Sequence, residues 1–122
     1  MIGYTVLGTN DLPRAVAFYD ALLAEFGAKR VMELPRGHIW AAAPNQPMFG
    51  VMTPFDGAPA TVGNGNMVAL PAKDKAQVDR VHARALELGA TCEGEPGQRM
   101  PIFYGAYFRD PDGNKLACFK MD

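Results

Sequence analysis

The sequence has few of the features that mark nucleic-acid-binding, membrane-spanning or secreted proteins. It carries 12 Lys and Arg against 13 Asp and Glu, a formal net charge of −1, and the two signs are mixed along the chain. No basic tract therefore suggests nucleic acid or an anionic membrane as a partner. There is no signal-peptide pattern at the N-terminus and no apolar run of bilayer-spanning length. We expect a cytoplasmic protein.

Side chains suited to covalent or metal chemistry are also scarce. The only cysteines are Cys92 and Cys118, which form no CxxC motif, and we expect both to be reduced thiols. The only histidines are His38 and His82. No Ser-His-Asp set with a nucleophile-elbow pattern is present. These absences argue against a disulfide-stabilised scaffold and against a hydrolase of the triad type.

What the sequence does contain is a repeat within 122 residues that are 48% hydrophobic. Residues 4–33 and 67–95 each begin with a short apolar strand, continue into an amphipathic helix, close with Gly-Ala and enter another strand. The spacing recurs although few residues are identical. Such a repeat predicts two copies of one structural module.

The ends of both helices are marked in the sequence. Asn10 or Asp11 can cap the first helix, Pro13 suits its first turn, and Gly27 suits the left-handed position after it. Asp74 near the start of the second helix repeats the pattern, and Gly89 ends that helix.

Short β-branched and aromatic segments bounded by Gly or Pro predict the strands that follow each helix. We place them at 28–34, 37–43, 47–53, 90–94, 102–109 and 114–120. The fold class is therefore α+β, with βαβββ occurring twice. Module 1 covers about 1–53, a Gly- and Pro-rich linker about 54–64, and module 2 about 65–122 of a single domain.

Three segments in this order carry a family resemblance: LGTNDLPRAVAFYDALL, GNGNMVAL and RDPDGNK. Together with the repeat they resemble the vicinal oxygen chelate superfamily of glyoxalases, bleomycin-resistance proteins and extradiol dioxygenases. The resemblance covers nearly the whole chain. It implies two βαβββ modules that form an open, incomplete β-barrel around a cavity, and it implies a homodimer.

The superfamily's enzymes hold a divalent metal with His and Glu from the first and last strand of each module. Carried onto this sequence, those positions are Tyr4, about Phe49 or Val51, Met67 and Ala117, and none is His, Asp or Glu. Imidazole and carboxylate are the ligands that such a site needs. The resemblance therefore implies that this chain binds no metal or other cofactor there and has an apolar, aromatic-lined cavity instead.

Four further residues are candidates for contact with a ligand. His38 and Trp40 alternate with Ile39, so both should project from one face of their strand. Arg99 lies in a Gly- and Pro-rich segment that we expect to be a loop covering the cavity, where it could pair with a ligand carboxylate, and Tyr104 follows it. Ordinary packing or solvent-exposed roles stay open for all four. We expect His82 to be a solvated helix residue, and turn chemistry accounts for the paired Asp110 and Asp112.

The predicted function is binding of a small organic molecule, an aromatic one among the options, with no catalytic residue assigned. The alternative is a lyase or isomerase, lactoylglutathione lyase-like or dioxygenase-like, using His38, Tyr4 and Tyr104 as acid/base groups or metal ligands at new positions. A third possibility is an interaction domain without a ligand.

Overall fold

Each half of the chain forms one βαβββ unit in the computed structural model, which describes all 122 residues. Unit 1 comprises Met1–Val62 and unit 2 comprises Gly63–Asp122. Each unit has one four-stranded mixed sheet and one long helix. The predicted α+β class with two βαβββ modules is thus confirmed. Neither helix combines the length and the apolarity that a membrane-crossing helix needs.

Unit 1 has the strand order β1-β4-β3-β2. Strand β1 pairs with β4 in parallel, and the other two pairings are antiparallel. A 3-10 turn over Ala24–Phe26 extends the helix. The elements are β1 (Tyr4–Gly8), α1 (Leu12–Leu23), β2 (Lys29–Leu34), β3 (Gly37–Ala41) and β4 (Met48–Met52).

Unit 2 repeats this topology with the strand order β5-β8-β7-β6. Strand β5 pairs with β8 in parallel, and the remaining pairings are antiparallel. The elements are β5 (Val68–Pro71), α2 (Lys75–Glu87), β6 (Thr91–Met100), β7 (Phe103–Arg109) and β8 (Lys115–Met121).

Strand β6 is longer than predicted, because the segment expected to be a loop up to Met100 continues the strand. Its pairing with β7 shifts register in three places, next to Cys92, around Gly97 and before Met100. Bulges accommodate residues that a regular strand excludes, including Pro96, which has no backbone N–H to donate to the neighbouring strand. The prediction that Arg99 lies in a loop is therefore wrong, because Arg99 belongs to β6.

Both helices begin and end as predicted. The Asp11 carboxylate accepts a hydrogen bond from Arg14 N at 3.1 Å, and the Asp74 carboxylate accepts one from Gln77 N at 2.8 Å. Gly27 follows the 3-10 turn with φ 72° in the left-handed region that favours glycine. These capping interactions fix the two helices where their apolar faces meet the sheets.

The buried face of α2 contains one residue that the sequence did not predict there. Val78, Val81 and Ala85 are buried, and His82 is buried with them, with 3% of its surface exposed. The expectation of a solvated histidine is wrong, because its position, four residues after Val78, puts it on the side of α2 that packs on the sheet.

Candidate functional site

Each sheet has two distinct faces. We call the face that packs on the unit's own helix the helix face, and the opposite side the open face. Because side chains alternate along a strand and paired residues share a face, the strand registers assign each residue to one of them. The predicted ligand-binding residues are divided between both faces.

The helix face of unit 1 holds the aromatic side chains of β3 and β4. Trp40 is 1% exposed and donates from Nε1 to the Asp20 carboxylate of α1 at 2.9 Å. Phe49 pairs with Trp40, and its ring centroid lies 4.9 Å from that of Tyr19 on α1. Arg30 forms an ion pair with the same Asp20 at 3.2 Å. Trp40 and Phe49 are thus part of the core between sheet and helix.

His38 lies on the same face as Trp40, which confirms the predicted alternation. The two rings meet edge to face with centroids 6.3 Å apart. His38 Nδ1 is buried and has no hydrogen-bond partner. This face packs on α1, and so His38 is not on the side of the sheet that carries Tyr4.

The open face of unit 1 carries Tyr4, whose side chain is among the most exposed of the large hydrophobic residues at 60%. Tyr4 pairs with Met48, and two residues further along Val6 pairs with Gly50. The fourth-strand positions that share the face of Tyr4 are therefore Met48, Gly50 and Met52. The expected position, Phe49 or Val51, is corrected by this register, since both residues lie on the helix face.

The open face of unit 2 is built around the β7–β8 pairing. Ala117 pairs with Tyr107 on one side and with Ala69 on the other. Met67, which precedes β5 and shares the parity of Ala69, is exposed. Phe119 stacks on Phe103 with centroids 5.5 Å apart and an interplanar angle of 5°. This face is mainly apolar and aromatic.

Two cations lie over the Tyr107 ring on this open face. The Arg99 guanidinium carbon is 5.5 Å and the Lys115 ammonium nitrogen 5.6 Å from the ring centroid. Arg99 also donates from Nη2 to the Glu95 carbonyl oxygen at 2.6 Å, which directs its side chain. Neither cation forms an ion pair with a carboxylate. Arg99, Tyr107 and Lys115 are the group that we call the cationic cluster.

A neighbouring cation, Arg109, is neutralised. The Arg109 guanidinium hydrogen-bonds to the Glu93 carboxylate, and this bond lowers the pKa of Glu93 below its ordinary value. Partial desolvation of the carboxylate opposes the shift, and the positive charges of Arg109 and Lys115 add to it. The net positive charge of this region therefore comes from the cationic cluster.

Tyr104, the predicted ligand contact on β7, lies on the helix face. Its hydroxyl donates to the Asp79 carboxylate of α2 at 2.6 Å, and Lys75 lies 5.5 Å from its ring centroid. The hydrogen bond to Asp79 raises the pKa of the Tyr104 hydroxyl. Tyr107, three residues later, is the β7 tyrosine that lies on the open face. Strand alternation carries the signal, because residues an odd number apart in a regular strand point to opposite faces.

Comparison with known proteins places the chain in a family. Residues 1–118 match the profile of the Glyoxalase/Bleomycin resistance protein/Dioxygenase superfamily. The crystal structure of a glyoxalase/bleomycin resistance protein from Albidiferax ferrireducens T118 is 38% identical with a TM-score of 0.90, and the match covers 100% of this chain and 99% of that one. Comparison with the curated proteins finds no match.

Two further solved structures share the fold at lower identity. A glyoxalase/bleomycin resistance protein/dioxygenase family enzyme from Burkholderia phytofirmans PsJN is 20% identical with a TM-score of 0.79, over 98% of both chains. Lactoylglutathione lyase from Agrobacterium tumefaciens is 27% identical with a TM-score of 0.72, over 98% of this chain and 92% of that one. The repeated βαβββ topology, the profile match and the 38% identity agree, and the chain belongs to the glyoxalase/bleomycin resistance protein/dioxygenase superfamily.

Proposed function

We propose that the protein binds a small organic anion with a planar apolar part on the open face of unit 2, without a divalent metal at the superfamily's usual positions. The observation that carries this proposal is the cationic cluster, where two cations, neither of which forms an ion pair, lie near one aromatic ring. The proposal keeps the predicted role of Arg99 and adds Lys115 and Tyr107 to it.

The cluster suits a carboxylate or a similar anion. A guanidinium offers a planar pair of donors to a carboxylate, and an ammonium group adds a second charge from another strand. Hydrogen bonds to charged groups contribute about 1.5–3 kcal/mol each, more than neutral ones.

The surroundings of the cluster suit the apolar part of such a ligand. Phe103 and Phe119 present a stacked aromatic pair, and Met67 adds a flexible, polarisable thioether. Ala117 contributes no functional group, and its small side chain leaves room for a ligand above the middle of β8. A planar ring could lie on this surface with its anionic group directed at Arg99 and Lys115.

The residues at the superfamily's metal positions do not fit a divalent ion. Tyr4 offers a phenol, Met48 and Met67 offer thioethers, and Gly50 and Ala117 offer no side-chain ligand atom. A catalytic site of this type needs about three imidazole or carboxylate ligands besides its open position. We therefore derive no reaction step through a metal at these positions.

The alternative, a lyase or isomerase, ranks second. Two of its predicted acid/base groups are on opposite faces of the unit 1 sheet: His38 lies on the helix face and Tyr4 on the open face. Tyr104 is in addition hydrogen-bonded to Asp79. A general acid or base must reach the proton that it transfers, and this division works against a shared catalytic role.

The test uses benzoate and its neutral counterpart benzamide, which have the same shape but differ in charge. We expect benzoate to raise the melting temperature and to bind in calorimetry, with benzamide binding at least about tenfold more weakly. Arg99→Gln and Lys115→Gln should each weaken benzoate binding about tenfold, since each removes one charged partner. Added salt should weaken it too.

Lys120→Gln is the matched control, because Lys120 lies on the same strand β8 but pairs with Tyr104 on the helix face. Its benzoate affinity should equal that of the wild-type protein. Equal binding of benzoate and benzamide, or an equal loss in all three variants, would refute the anion site. Stoichiometric metal binding that a Cys92→Ser substitution leaves unchanged would refute the metal-free part, because such metal would not depend on the Cys92 thiolate. The homodimer and the cytoplasmic location stay predictions.

A further inference from the structure

We infer that unit 2 has a transition-metal site of the zinc type on its helix face, formed by His82, Cys92 and Glu95. It lies on the opposite side of the sheet from the cationic cluster, and it involves none of the superfamily's usual metal positions. It therefore does not depend on the proposed function.

The three side chains already lie close together. One potential ligand atom from each residue lies within 4.8 Å of the other two. The Cys92 sulfur is 3.4 Å from Glu95 Oε1, and His82 Nδ1 is 3.9 Å from Glu95 Oε2. A tetrahedral zinc ion with ordinary bond lengths separates its ligand atoms by about 3.4–3.6 Å. The widest separation has to shorten by up to about 1.4 Å to reach this range, and the exposed Cys92 and Glu95 side chains have the freedom to move.

A bulge in β6 explains why two of these residues point the same way. In a regular strand, residues three apart point to opposite faces. The pairing of β6 with β7 shifts by one residue between Cys92 and Gly94, so that Glu93 is the extra residue. The extra residue restores the parity, and both Cys92 and Glu95 lie on the helix face, where α2 presents His82.

His82 is the observation that points to a ligand. It is 3% exposed, yet neither ring nitrogen makes a hydrogen bond, and its Nε2 is buried without a partner. The Nδ1 atom is directed towards Glu95, at a distance too long for a hydrogen bond. A metal ion held by Nδ1 would give the buried imidazole a strong interaction that the protein itself does not supply.

The donor set selects the class of metal. A thiolate, an imidazole and a carboxylate suit Zn²⁺ and related divalent transition metals, whereas Mg²⁺ and Ca²⁺ prefer oxygen ligands alone. Three protein ligands leave a fourth position for water. On binding, the Cys92 thiol loses its proton to solvent, so that one proton is released and the affinity rises with pH.

The experiment titrates chelator-treated full-length protein with Zn²⁺, and with Co²⁺ as a spectroscopic probe. We expect one ion per chain, a sulfur-to-cobalt charge-transfer band in the near ultraviolet, and protection of Cys92 from alkylation by Zn²⁺. Cys118 is completely buried and should not react in either state, so the native protein has one reactive thiol to follow.

Three substitutions test the ligands. Cys92→Ser should weaken Zn²⁺ binding at least about 100-fold and abolish the charge-transfer band, and Glu95→Gln should weaken binding about tenfold. Both residues are exposed, so neither change should prevent folding. His82→Gln is the third variant, and its folding is checked by circular dichroism. Glu93→Gln is the matched control, since Glu93 hydrogen-bonds to Arg109 instead, and its affinity for zinc should match the wild-type value.

Two results would overturn the inference: no stoichiometric binding of Zn²⁺ or Co²⁺, or binding that Cys92→Ser and Glu95→Gln leave unchanged. Benzoate binding on the open face should persist in Cys92→Ser. The two proposals can therefore fail separately.

Discussion

Asp110 organises the β7–β8 turn as a single buried carboxylate. It is 4% exposed, and its Oδ1 accepts hydrogen bonds from Asp112 N at 3.0 Å and Asn114 N at 2.8 Å. Its Oδ2 accepts one from Asn114 Nδ2 at 3.0 Å. Gly113, with φ 95°, supplies the left-handed residue that the turn requires. The prediction that turn chemistry accounts for the Asp110–Asp112 pair is confirmed by these contacts.

Replacing this carboxylate should destabilise the protein. Asp110→Ala removes the hydrogen bonds that its carboxylate accepts in this turn, and we expect a loss of about 3 kcal/mol in the free energy of unfolding. Asp110→Asn keeps the Oδ1 acceptor but places an amide NH2 against Asn114 Nδ2, so its loss should be smaller. Urea denaturation measures both. A cost below about 0.5 kcal/mol for Asp110→Ala would show that solvent satisfies these donors instead.

The pairing of β3 with β4 depends on a close approach at Gly37. A Cβ atom at Gly37 would overlap the carbonyl oxygen of Val51 and come within 2.8 Å of the Met52 Cα atom. Both are backbone atoms, so the strands would have to separate. At Gly50, on the same sheet face, the nearest atoms to a Cβ lie at 3.4 Å, which is close to ordinary contact. The two glycines thus have different structural roles.

This difference predicts a contrast between two alanine substitutions. Gly37→Ala should lower the free energy of unfolding by about 3 kcal/mol because it forces β3 away from β4. Gly50→Ala should change stability by less than about 1 kcal/mol, since the His38 oxygen and the methyl groups of Val6 and Ile39 lie 3.4–3.5 Å from the added Cβ. Thermal and urea unfolding compare the pair. Equal losses would mean that the close approach at Gly37 is not what constrains this strand pair.

The two cysteines differ in their access to solvent, and this difference affects the stability of the whole protein. Cys92 is exposed on β6, whereas Cys118 is completely buried on β8. Burial raises the pKa of the Cys118 thiol from its ordinary value of 9.0 to about 12, and a hydrogen bond from the Phe119 backbone opposes the shift. Deprotonation of Cys118 is therefore coupled to global unfolding.

The sign of this coupling predicts a loss of stability at alkaline pH. Between pH 9 and pH 12 the thiol ionises in the unfolded chain but stays protonated in the folded one, which favours unfolding. The stabilisation is complete below pH 9 and decreases by up to about 1.4 kcal/mol per pH unit above it.

Cys118→Ala isolates this contribution from other groups that titrate in the same range. Its stability should be offset from wild type by a constant amount below pH 9 and should fall less steeply above pH 9. Urea denaturation at several pH values measures both slopes. Parallel slopes for wild type and variant above pH 9 would contradict the coupling.

Local signals determined much of the fold in advance. Caps at Asp11 and Asp74 and the glycine at position 27 depend on short-range hydrogen bonds and backbone preferences, so the sequence placed both helices correctly. The sequence predicts a strand β6 that is too short, because Pro96 and Gly97 are residue types that commonly end a strand. Only pairing with β7 shows that bulges accommodate them.

The site was less predictable than the fold, because it depends on which face a side chain occupies. Alternation correctly placed His38 with Trp40 on one face, but only packing on α1 showed which face that was. The cationic cluster contains Tyr107 instead of the predicted Tyr104, since Tyr104 lies on the helix face.

By itself, the sequence determined the repeated βαβββ order, the ends of both helices and the superfamily, since these follow from periodicity, capping and motifs that act over a few residues. Tertiary structure alone decided that His82 is buried beside Cys92 and Glu95, and that Arg99 and Lys115 both lie near the Tyr107 ring. The physical reason is that these groups come from different elements, and their distances are set by strand register and by one bulge in β6, which local sequence preferences do not encode.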